Sequence, residues 1–253
     1  ICLWSTRIDD QCPYKEFLNI IRNELTNKKI RCEGKKCLKI LMDHTNTTDE
    51  LSMVEKIAPD YLRPSGPAYS TKILNNFNID TILKDFSRAS VNKDTRFING
   101  PFYHISFDMR DFMEAVTSEL RDINFSKLDE LGFKTFGCVL NTDRWSGPGK
   151  HWVCIFGTIN EKKIDVEYFN SSGRSVKYYD TLCDWREKKI KEGYDLSIKS
   201  VVPSDGIQRS ETECGVWCLY YIKLRLEGHP PDYFIKNKIK DKDITEARRY
   251  LFI

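Results

Sequence analysis

Two consecutive segments in the middle of the chain have the residue pattern of β-strands, and they constrain the fold more than any other feature. Residues 151–158 are almost entirely apolar, and residues 163–170 alternate apolar and charged side chains as a half-exposed strand does. Antiparallel pairing of the two segments would bring Asn170, at the end of the second, beside His151, at the start of the first. The sequence therefore predicts that an imidazole and a carboxamide meet at one end of a β-sheet.

The segments around this pair alternate between strand and helix patterns. Further strands are predicted at residues 135–141 and 196–202, and apolar positions at helical spacing predict helices at residues 79–88, 179–191 and 213–226. Asp108 has the position of an N-cap residue for one more helix, extending to about residue 121. Strands clustered between helices indicate an α+β fold, with a functional site where strands end and one helix begins.

The chain is predicted to divide into two domains near residue 75. Residues 1–75 are predicted to form an N-terminal helical arm, because residues 14–29 and a segment after Thr47 carry apolar residues on one helical face. Three prolines and a glycine between Pro59 and Tyr69 mark the predicted linker. Residues 76–253 are predicted to form a core that folds without the arm but needs it for full function.

Composition limits the class of protein. With 253 residues, 40% of them hydrophobic and 30% charged, the chain has the composition of an ordinary globular protein. No apolar run reaches the ~18–20 residues needed to span a bilayer, so no membrane association is predicted. The net charge of +3 gives no reason to predict nucleic acid as a partner, and the oligomeric state stays open.

The nine cysteines are odd in number and irregularly spaced, which argues against a disulfide framework and for a reducing compartment. Cys32 and Cys37 form a close pair, but no second pair at zinc-ligand spacing accompanies them. We therefore interpret these two residues as free thiols and predict no metal and no cofactor.

Cys214 stands at the predicted start of an apolar helix, two residues after Thr212, which suits the N-cap position. The unpaired N–H groups at a helix N-terminus lower the pKa of a thiol and so favour a nucleophilic thiolate. Gly215 leaves room for a substrate carbonyl beside the sulfur, whereas Cys218 is predicted to be a packed core thiol. For Cys214 considered alone, a buried and inert thiol is the alternative.

Three further residues have side chains that could serve a cysteine nucleophile. His151 could take the thiol proton, and the side-chain oxygen of Asn170 could orient the imidazole. Gln208 and the backbone N–H of Cys214 could donate to a developing oxyanion, whereas Glu211 has no donor at neutral pH. Considered alone, His151 could be a surface histidine, Asn170 part of a polar turn and Gln208 a solvent-facing side chain. Together with Cys214, these residues predict a cysteine protease.

The chain resembles the SUMO-protease and adenovirus-protease superfamily of cysteine peptidases. The shared residues, in the order and approximate spacing of that superfamily, are His151-Trp152, Asn170, Gln208 and Cys214-Gly215. Residues 76–80, 135–143, 149–153, 167–171 and 208–215 most resemble the polyprotein-processing proteases of the African swine fever virus type, whereas the arm matches poorly. Glu211 stands where that type has a second glutamine, so the resemblance implies the oxyanion role for Gln208.

The resemblance implies a papain-type core in which helices flank a central mixed sheet. It also implies cleavage after a pair of small residues, of the Gly-Gly-X type, with Trp152 roofing a narrow tunnel that excludes side chains before the cut. The implied substrates are capsid or core polyprotein precursors of a virus, and the implied locations are the host cytoplasm (viral factory) and the virion. Deconjugation of SUMO or another ubiquitin-like protein uses the same chemistry and is the alternative.

A catalytically inactive nucleic-acid-binding or scaffold protein is the alternative from another class. Its support would be a series of basic residues near the C-terminus, namely Lys236, Lys238, Lys240, Lys242, Arg248 and Arg249. Acidic residues interrupt the series, so a solvent-exposed helix face is predicted there. The complete set of catalytic residue types argues against an inactive core.

Overall fold

A five-stranded mixed β-sheet runs through the part of the chain that the computed structural model describes, which is residues 64, 66–91 and 96–252. In chain order and in sheet order, the strands are β1 (Phe102–His104), β2 (Thr135–Asn141), β3 (Trp152–Asn160), β4 (Lys163–Phe169) and β5 (Asp195–Ser200). The two outer pairs are parallel and the two inner pairs are antiparallel. The four strands predicted from the sequence are all present, with ends within two residues of the prediction.

Helices cover both faces of this sheet. The α-helices of the described part are α1 (Asn76–Val91), α2 (Glu119–Asp122), α3 (Phe125–Glu130), α4 (Asp180–Lys191), α5 (Cys214–Leu226), α6 (Tyr233–Lys236) and α7 (Asp241–Leu251). The buried side chains of α1, α5, α6 and α7 belong to one hydrophobic cluster, and those of α2, α3 and α4 belong to another. The arrangement confirms the predicted α+β class and the predicted helices that correspond to α1, α4 and α5.

The central strand β3 is apolar on both of its faces. Trp152, Cys154 and Phe156 belong to the cluster under α5, and Val153 and Ile155 belong to the cluster under α4. A strand that is buried on both faces needs a continuous apolar run instead of an alternation, and the sequence of β3 supplies one. Because β2 and β4 pair with β3 on either side, the ends of β3 are held firmly in place.

The helix predicted to run from Asp108 to about residue 121 is wrong. The Asp108 backbone extends the sheet instead, since its N–H donates to the carbonyl O of Val139 at 3.1 Å and its own carbonyl accepts from the Asn141 N–H at 2.9 Å. Turns follow, and the helix that forms here is the short α2, whose N-cap is Ser118. Pairing with β2 satisfies the backbone of Asp108 and overrides its local preference for a helix cap.

Most of the predicted arm, including Cys32 and Cys37, lies outside the described residues, as does most of the predicted linker. The described residues just before α1 pack against the core, because Ala68 and Leu74 are buried in the cluster that α1 and α5 share. The division between residues 75 and 76 therefore stays a prediction. In the described part of the chain, no helix combines the length and the apolar character that crossing a membrane requires.

Replacing Gly157 by alanine is expected to lower the free energy of unfolding. Gly157 lies in β3, where a Cβ atom would come within 2.1–2.9 Å of the buried ring of Phe136. Overpacking of this kind costs about 1–3 kcal/mol, which urea denaturation would measure. Thr158→Ala is the matched control, because Thr158 is exposed on the same strand. An equal loss of stability in the two variants would contradict the packing explanation.

Candidate active site

His151 and Asn170 meet at one end of the sheet, as the sequence predicts. The register between β3 and β4 pairs Cys154 with Phe169, which places the residue after Phe169 near the start of β3. The Nε2 atom of His151 lies 2.9 Å from the Oδ1 atom of Asn170. His151 is half-buried and Asn170 is buried, so this hydrogen bond is protected from competing water.

The hydrogen bonds of Asn170 determine which ring nitrogen of His151 carries a proton. The backbone N–H and the hydroxyl of Ser172 donate to Asn170 Oδ1 at 3.0 and 2.8 Å. The amide nitrogen of Asn170 instead donates to Tyr168 Oη at 3.2 Å and to the carbonyl O of Arg174 at 3.1 Å. Because the oxygen faces His151, Nε2 is the donor and Nδ1 of the neutral imidazole keeps its lone pair. This tautomer can accept a proton at Nδ1.

The surroundings of His151 also keep the imidazole neutral. Burial lowers the pKa of His151 below its usual value of 6.5. The hydrogen bond to Asn170 opposes this shift, and the positive charge of Arg174 adds to it. A neutral imidazole at pH 7 is the protonation state that a general base needs.

Cys214 is the first residue of α5, and it is buried against the start of β3. Burial raises the pKa of its thiol to about 11, although hydrogen bonds from the backbone of Trp152, Gly215 and Cys214 itself favour the thiolate. The lowered thiol pKa expected from the sequence is therefore wrong, because the desolvation penalty exceeds the effect of the helix end. A buried neutral thiol of this kind needs a neighbouring base to take its proton.

Trp152 and Gly215 form the contact between the start of β3 and the start of α5. A Cβ atom on Gly215 would lie 3.3 Å from Cδ1 of Trp152 and 3.1 Å from Cβ of Leu74. The indole N–H of Trp152 donates to the carbonyl O of Leu74 at 2.9 Å. Protein atoms thus fill the space beside Gly215, which corrects the expectation that this space admits a substrate carbonyl.

A cleft of about 470 Å³ opens beside this contact. Trp152 forms part of its wall together with Phe107, which packs edge-on against Trp152 with the ring centroids 6.4 Å apart. Phe107 also stacks on Trp145, an exposed residue at the rim. Apolar residues make up the larger part of the lining of the cleft, with Asn75, Asn76, Asn141 and Lys150 as its polar side chains.

The loop that carries Gln208 is bound to the loop that follows Asn170. The backbone N–H of Gln208 donates to the carbonyl O of Ser171 at 3.0 Å, and the Ser171 hydroxyl donates to Gln208 Oε1 at 2.5 Å. The Gln208 amide nitrogen donates to the carbonyl O of Ser210 at 2.6 Å. Since an amide nitrogen carries two hydrogens, one of them remains for another acceptor.

Asp241 supports the same loop and was not singled out by the sequence analysis. Its carboxylate accepts from the backbone N–H groups of Arg209 and Ser210, at 2.7 Å each, and from the indole N–H of Trp217 at 2.9 Å. Asp241 therefore ties the Gln208 loop to the helix that begins with Cys214. The sequence gives little indication of this role, because Asp241 is one of several acidic residues that interrupt the basic series near the C-terminus.

A buried ion pair lies directly before Cys214. Arg248 Nε and Glu213 Oε2 are 2.8 Å apart, and the two side chains are 0% and 1% exposed. Arg248 also donates to the carbonyl oxygens of Lys72 and Thr212, at 2.8 and 3.3 Å. The predicted solvent-exposed basic face is therefore wrong for Arg248. The other basic residues of that series are exposed, namely Lys236, Lys238, Lys240, Lys242 and Arg249.

The start of α5 also differs from the prediction in its cap. The N-cap residue is Glu213 instead of Thr212, and no side chain caps the helix. The Glu213 carboxylate is occupied by Arg248 and by the hydroxyl of Thr245, at 3.1 Å for the latter. Long-range pairing has thus replaced local capping at this helix end.

The chain is 36% identical over 199 residues to the cysteine protease S273R of African swine fever virus, an alignment that covers 74% of this chain and 70% of that relative. This chain belongs to the S273R family of cysteine proteases. Another African swine fever virus member, with the same identity and coverage, carries the name SUMO-1 cysteine protease S273R. The predicted family and the predicted cysteine protease activity are therefore confirmed.

More distant comparisons agree with membership of the S273R family. The chain is 28% identical over 218 residues to the thiol protease R355 of Acanthamoeba polyphaga mimivirus, covering 84% of this chain and 68% of R355. It superposes on the crystal structure of the African swine fever virus pS273R protease with a TM-score of 0.71 and 26% identity, covering 100% of this chain and 95% of the other. No protein-family profile matches the chain.

Replacing Asp241 by alanine is expected to loosen the Gln208 loop and slow peptide cleavage. The variant loses three hydrogen bonds to a carboxylate, each worth roughly 1.5–3 kcal/mol. Hydrogen exchange at the backbone N–H groups of Arg209 and Ser210 should therefore become faster. Asp243→Ala is the control, because among the described residues the Asp243 carboxylate accepts only from the Lys240 N–H at the same helix start, at 2.9 Å. Equal exchange rates in both variants would argue against this role of Asp241.

Proposed function

We propose that this cysteine protease uses Cys214 as its nucleophile, His151 as its general base and Asn170 as the group that orients the imidazole. The observation that carries the proposal is the hydrogen bond of 2.9 Å between His151 Nε2 and Asn170 Oδ1, with Cys214 buried against the residue next to His151. Nδ1 of His151 takes the thiol proton as the sulfur attacks the scissile carbonyl carbon. The imidazolium then gives that proton to the leaving amine.

At neutral pH we expect Cys214 to be a thiol and His151 to be a neutral imidazole. Burial raises the pKa of Cys214 and lowers the pKa of His151, and both shifts disfavour the charged thiolate–imidazolium pair. Asn170 orients the imidazole without adding a negative charge that would stabilise the imidazolium. These shifts make the thiolate–imidazolium pair costly before substrate binds, so we propose that His151 takes the proton during the attack.

Gln208 and the backbone N–H of Cys214 are the proposed donors to the oxyanion. The Gln208 amide is held by Ser171 on its oxygen side and by the Ser210 carbonyl on its nitrogen side, which leaves one N–H without a partner in this pair of contacts. Donors fixed in advance stabilise the tetrahedral intermediate most, because they need no reorganisation during the reaction.

We propose that the substrate is a polypeptide cleaved after small residues, of the Gly-Gly-X type. The support is the resemblance carried by His151-Trp152 and Cys214-Gly215, together with the position of Trp152 in the wall of the cleft. The proposed substrates are capsid or core polyprotein precursors, processed in the host cytoplasm (viral factory) and in the virion.

Deconjugation of a ubiquitin-like protein is the second candidate function, and the name SUMO-1 cysteine protease carried by one relative favours it. Comparing cleavage rates on a short peptide and on a folded modifier distinguishes the two functions. A processing protease cleaves short Gly-Gly-X peptides and unfolded precursors well. A deconjugating protease prefers by a large factor a folded modifier that ends in Gly-Gly.

We also propose that the residues upstream of α1 assist substrate capture. Ile73 and Leu74 line the cleft beside Trp152, so the chain reaches the site directly from the predicted arm. A core that begins at residue 76 would lack Leu74 and the carbonyl of Lys72 that binds Arg248. We therefore expect a core that begins at residue 76 to be less stable than one that begins upstream of Lys72.

Replacing Cys214 by alanine is expected to abolish cleavage of a Gly-Gly-X peptide, because no nucleophile remains. Cys218→Ala is the matched control, since Cys218 is a fully buried thiol one turn further along α5. This second variant should retain cleavage. In the unmodified protein, a peptide vinyl sulfone, which forms a stable thioether with a nucleophilic thiol, should label Cys214, as mass spectrometry of the digest would show. Labelling of a different cysteine, or cleavage by the Cys214→Ala protein, would overturn the assignment.

Replacing Gln208 by alanine is expected to lower kcat about a hundred- to a thousand-fold with little change in KM, because the donor acts mainly on the oxyanion. Glu211→Ala is the control in the same loop, because Glu211 is exposed and has no hydrogen to donate. Steady-state kinetics on one peptide measures both variants. If the Gln208 variant changes KM alone, the proposed oxyanion role is wrong.

A further inference from the structure

A pocket of about 220 Å³ lies next to the His151–Asn170 pair and takes no part in the mechanism proposed above. Its lining contains three cationic side chains, Arg110, Lys150 and Arg174, and none of the described residues that line it is acidic. Asn170 itself forms part of the wall. Three positive charges around one small cavity attract a negative group.

Arg174 is exposed, and it differs from the other two cations because no carboxylate is paired with it in the described part of the chain. Arg110 and Lys150 each have a carboxylate 3.3 Å away, on Asp180 and Asp143, and neither carboxylate lines the pocket. Within the described ranges, the guanidinium of Arg174 has no hydrogen-bond or ion-pair partner. A guanidinium presents a planar set of donors that matches a carboxylate or another oxyanion.

A buried hydroxyl in the same pocket adds a further donor. Tyr168 is 2% exposed, and its Oη accepts a hydrogen bond from the Asn170 amide at 3.2 Å. Its own hydroxyl hydrogen has no acceptor among the residues that the structure describes. Buried hydroxyl groups usually find an acceptor. The pocket therefore combines three cations with an unused O–H donor, and its complement is a group that carries negative charge and accepts hydrogen bonds.

The pocket lies close enough to His151 for its charged residues to affect the imidazole. The positive charge of Arg174 acts on both His151 and Tyr168, so the guanidinium is within electrostatic reach of the imidazole. Lys150 lines both this pocket and the cleft beside Trp152. The cleft and the pocket therefore meet at Lys150, the residue before His151. A polypeptide that occupies the cleft can reach the pocket by passing Lys150.

We propose that this pocket binds an anionic group, a carboxylate or another oxyanion, which enters as an acidic side chain of the substrate after the cut or as a free small anion. The proposal rests on the proposed roles of His151 and Asn170. An anion beside Arg174 cancels the positive charge that opposes the imidazolium. It therefore makes proton transfer from Cys214 easier at the moment of attack.

The first arm of the test uses Gly-Gly-X peptides that differ only by Glu, Gln or Lys in the first three positions after the cut. The unmodified protein is expected to cleave the best Glu peptide about ten times faster, in kcat/KM, than the matching Lys peptide. Arg174→Gln should bring this ratio close to one. Arg88→Gln is the matched control, because Arg88 is an exposed arginine in the last turn of α1 and lies outside the pocket. This control should keep the ratio of the unmodified protein.

The second arm uses the neutral Gln peptide and inorganic phosphate, titrated against chloride at constant ionic strength. A rate that changes with phosphate in the unmodified and Arg88→Gln proteins, but not in Arg174→Gln, identifies a free anion as the occupant. Calorimetry of phosphate with the Cys214→Ala protein provides a readout that does not depend on cleavage. The proposal is overturned if neither the peptide charge nor phosphate has an effect, or if Arg174→Gln responds as the control does.

Failure of the proposed function would look different from failure of this proposal. If the thiol-directed label reacts with a cysteine other than Cys214, or if His151→Ala cleaves at the full rate, the proposed mechanism is wrong whatever the pocket binds. Retained labelling and cleavage with no dependence on Arg174 would instead remove the anion pocket and leave the mechanism in place.

Discussion

The buried ion pair between Glu213 and Arg248 is the interaction on which the geometry of the site depends. It joins α7 to the residue before Cys214, and Arg248 also binds the carbonyl of Lys72 in the segment before α1. Removing one member of such a pair leaves an uncompensated buried charge, which costs about 3–5 kcal/mol. Two residues beyond Lys72, the carbonyl of Leu74 binds the Trp152 indole. The position of the proposed nucleophile relative to β3 is thus determined largely by parts of the chain that are remote in sequence.

The spacing of apolar residues predicted the strands and helices in which that spacing continues over the whole element. It failed where a contact with residues remote in sequence determines the local structure. The apolar run of β3 and the alternation of β4 were sufficient to place Asn170 beside His151, because strand pairing converts sequence position directly into spatial position. The helix expected after Asp108 is absent because β2 takes the backbone bonds that would have begun it. Arg248 shows the same limitation, since nothing in its neighbours in sequence distinguishes a buried cation from a solvated one.

Electrostatic behaviour was the least predictable property of the site. The start of α5 was expected to lower the pKa of Cys214, but the sulfur is enclosed by β3 and α5, and burial raises the pKa instead. Helix position can be inferred from the sequence, whereas the depth of burial follows from packing across several elements. The same burial lowers the pKa of His151, and Arg174 adds to that shift. The site therefore favours neutral partners at rest, and any group that compensates Arg174 changes how easily charge develops during the reaction.

The group that orients the imidazole and the proposed oxyanion donor belong to one hydrogen-bond network. Asn170 Oδ1 accepts from Ser172 as well as from His151, and the preceding residue, Ser171, binds both the backbone and the side chain of Gln208. Asp241 holds the far side of the same loop and also binds Trp217 in α5. A displacement of the Asn170 turn therefore shifts the Gln208 amide, and a displacement of the Gln208 loop shifts the turn. Substitutions at Asn170 and Gln208 should for this reason combine non-additively, because residues that share partners act as a unit.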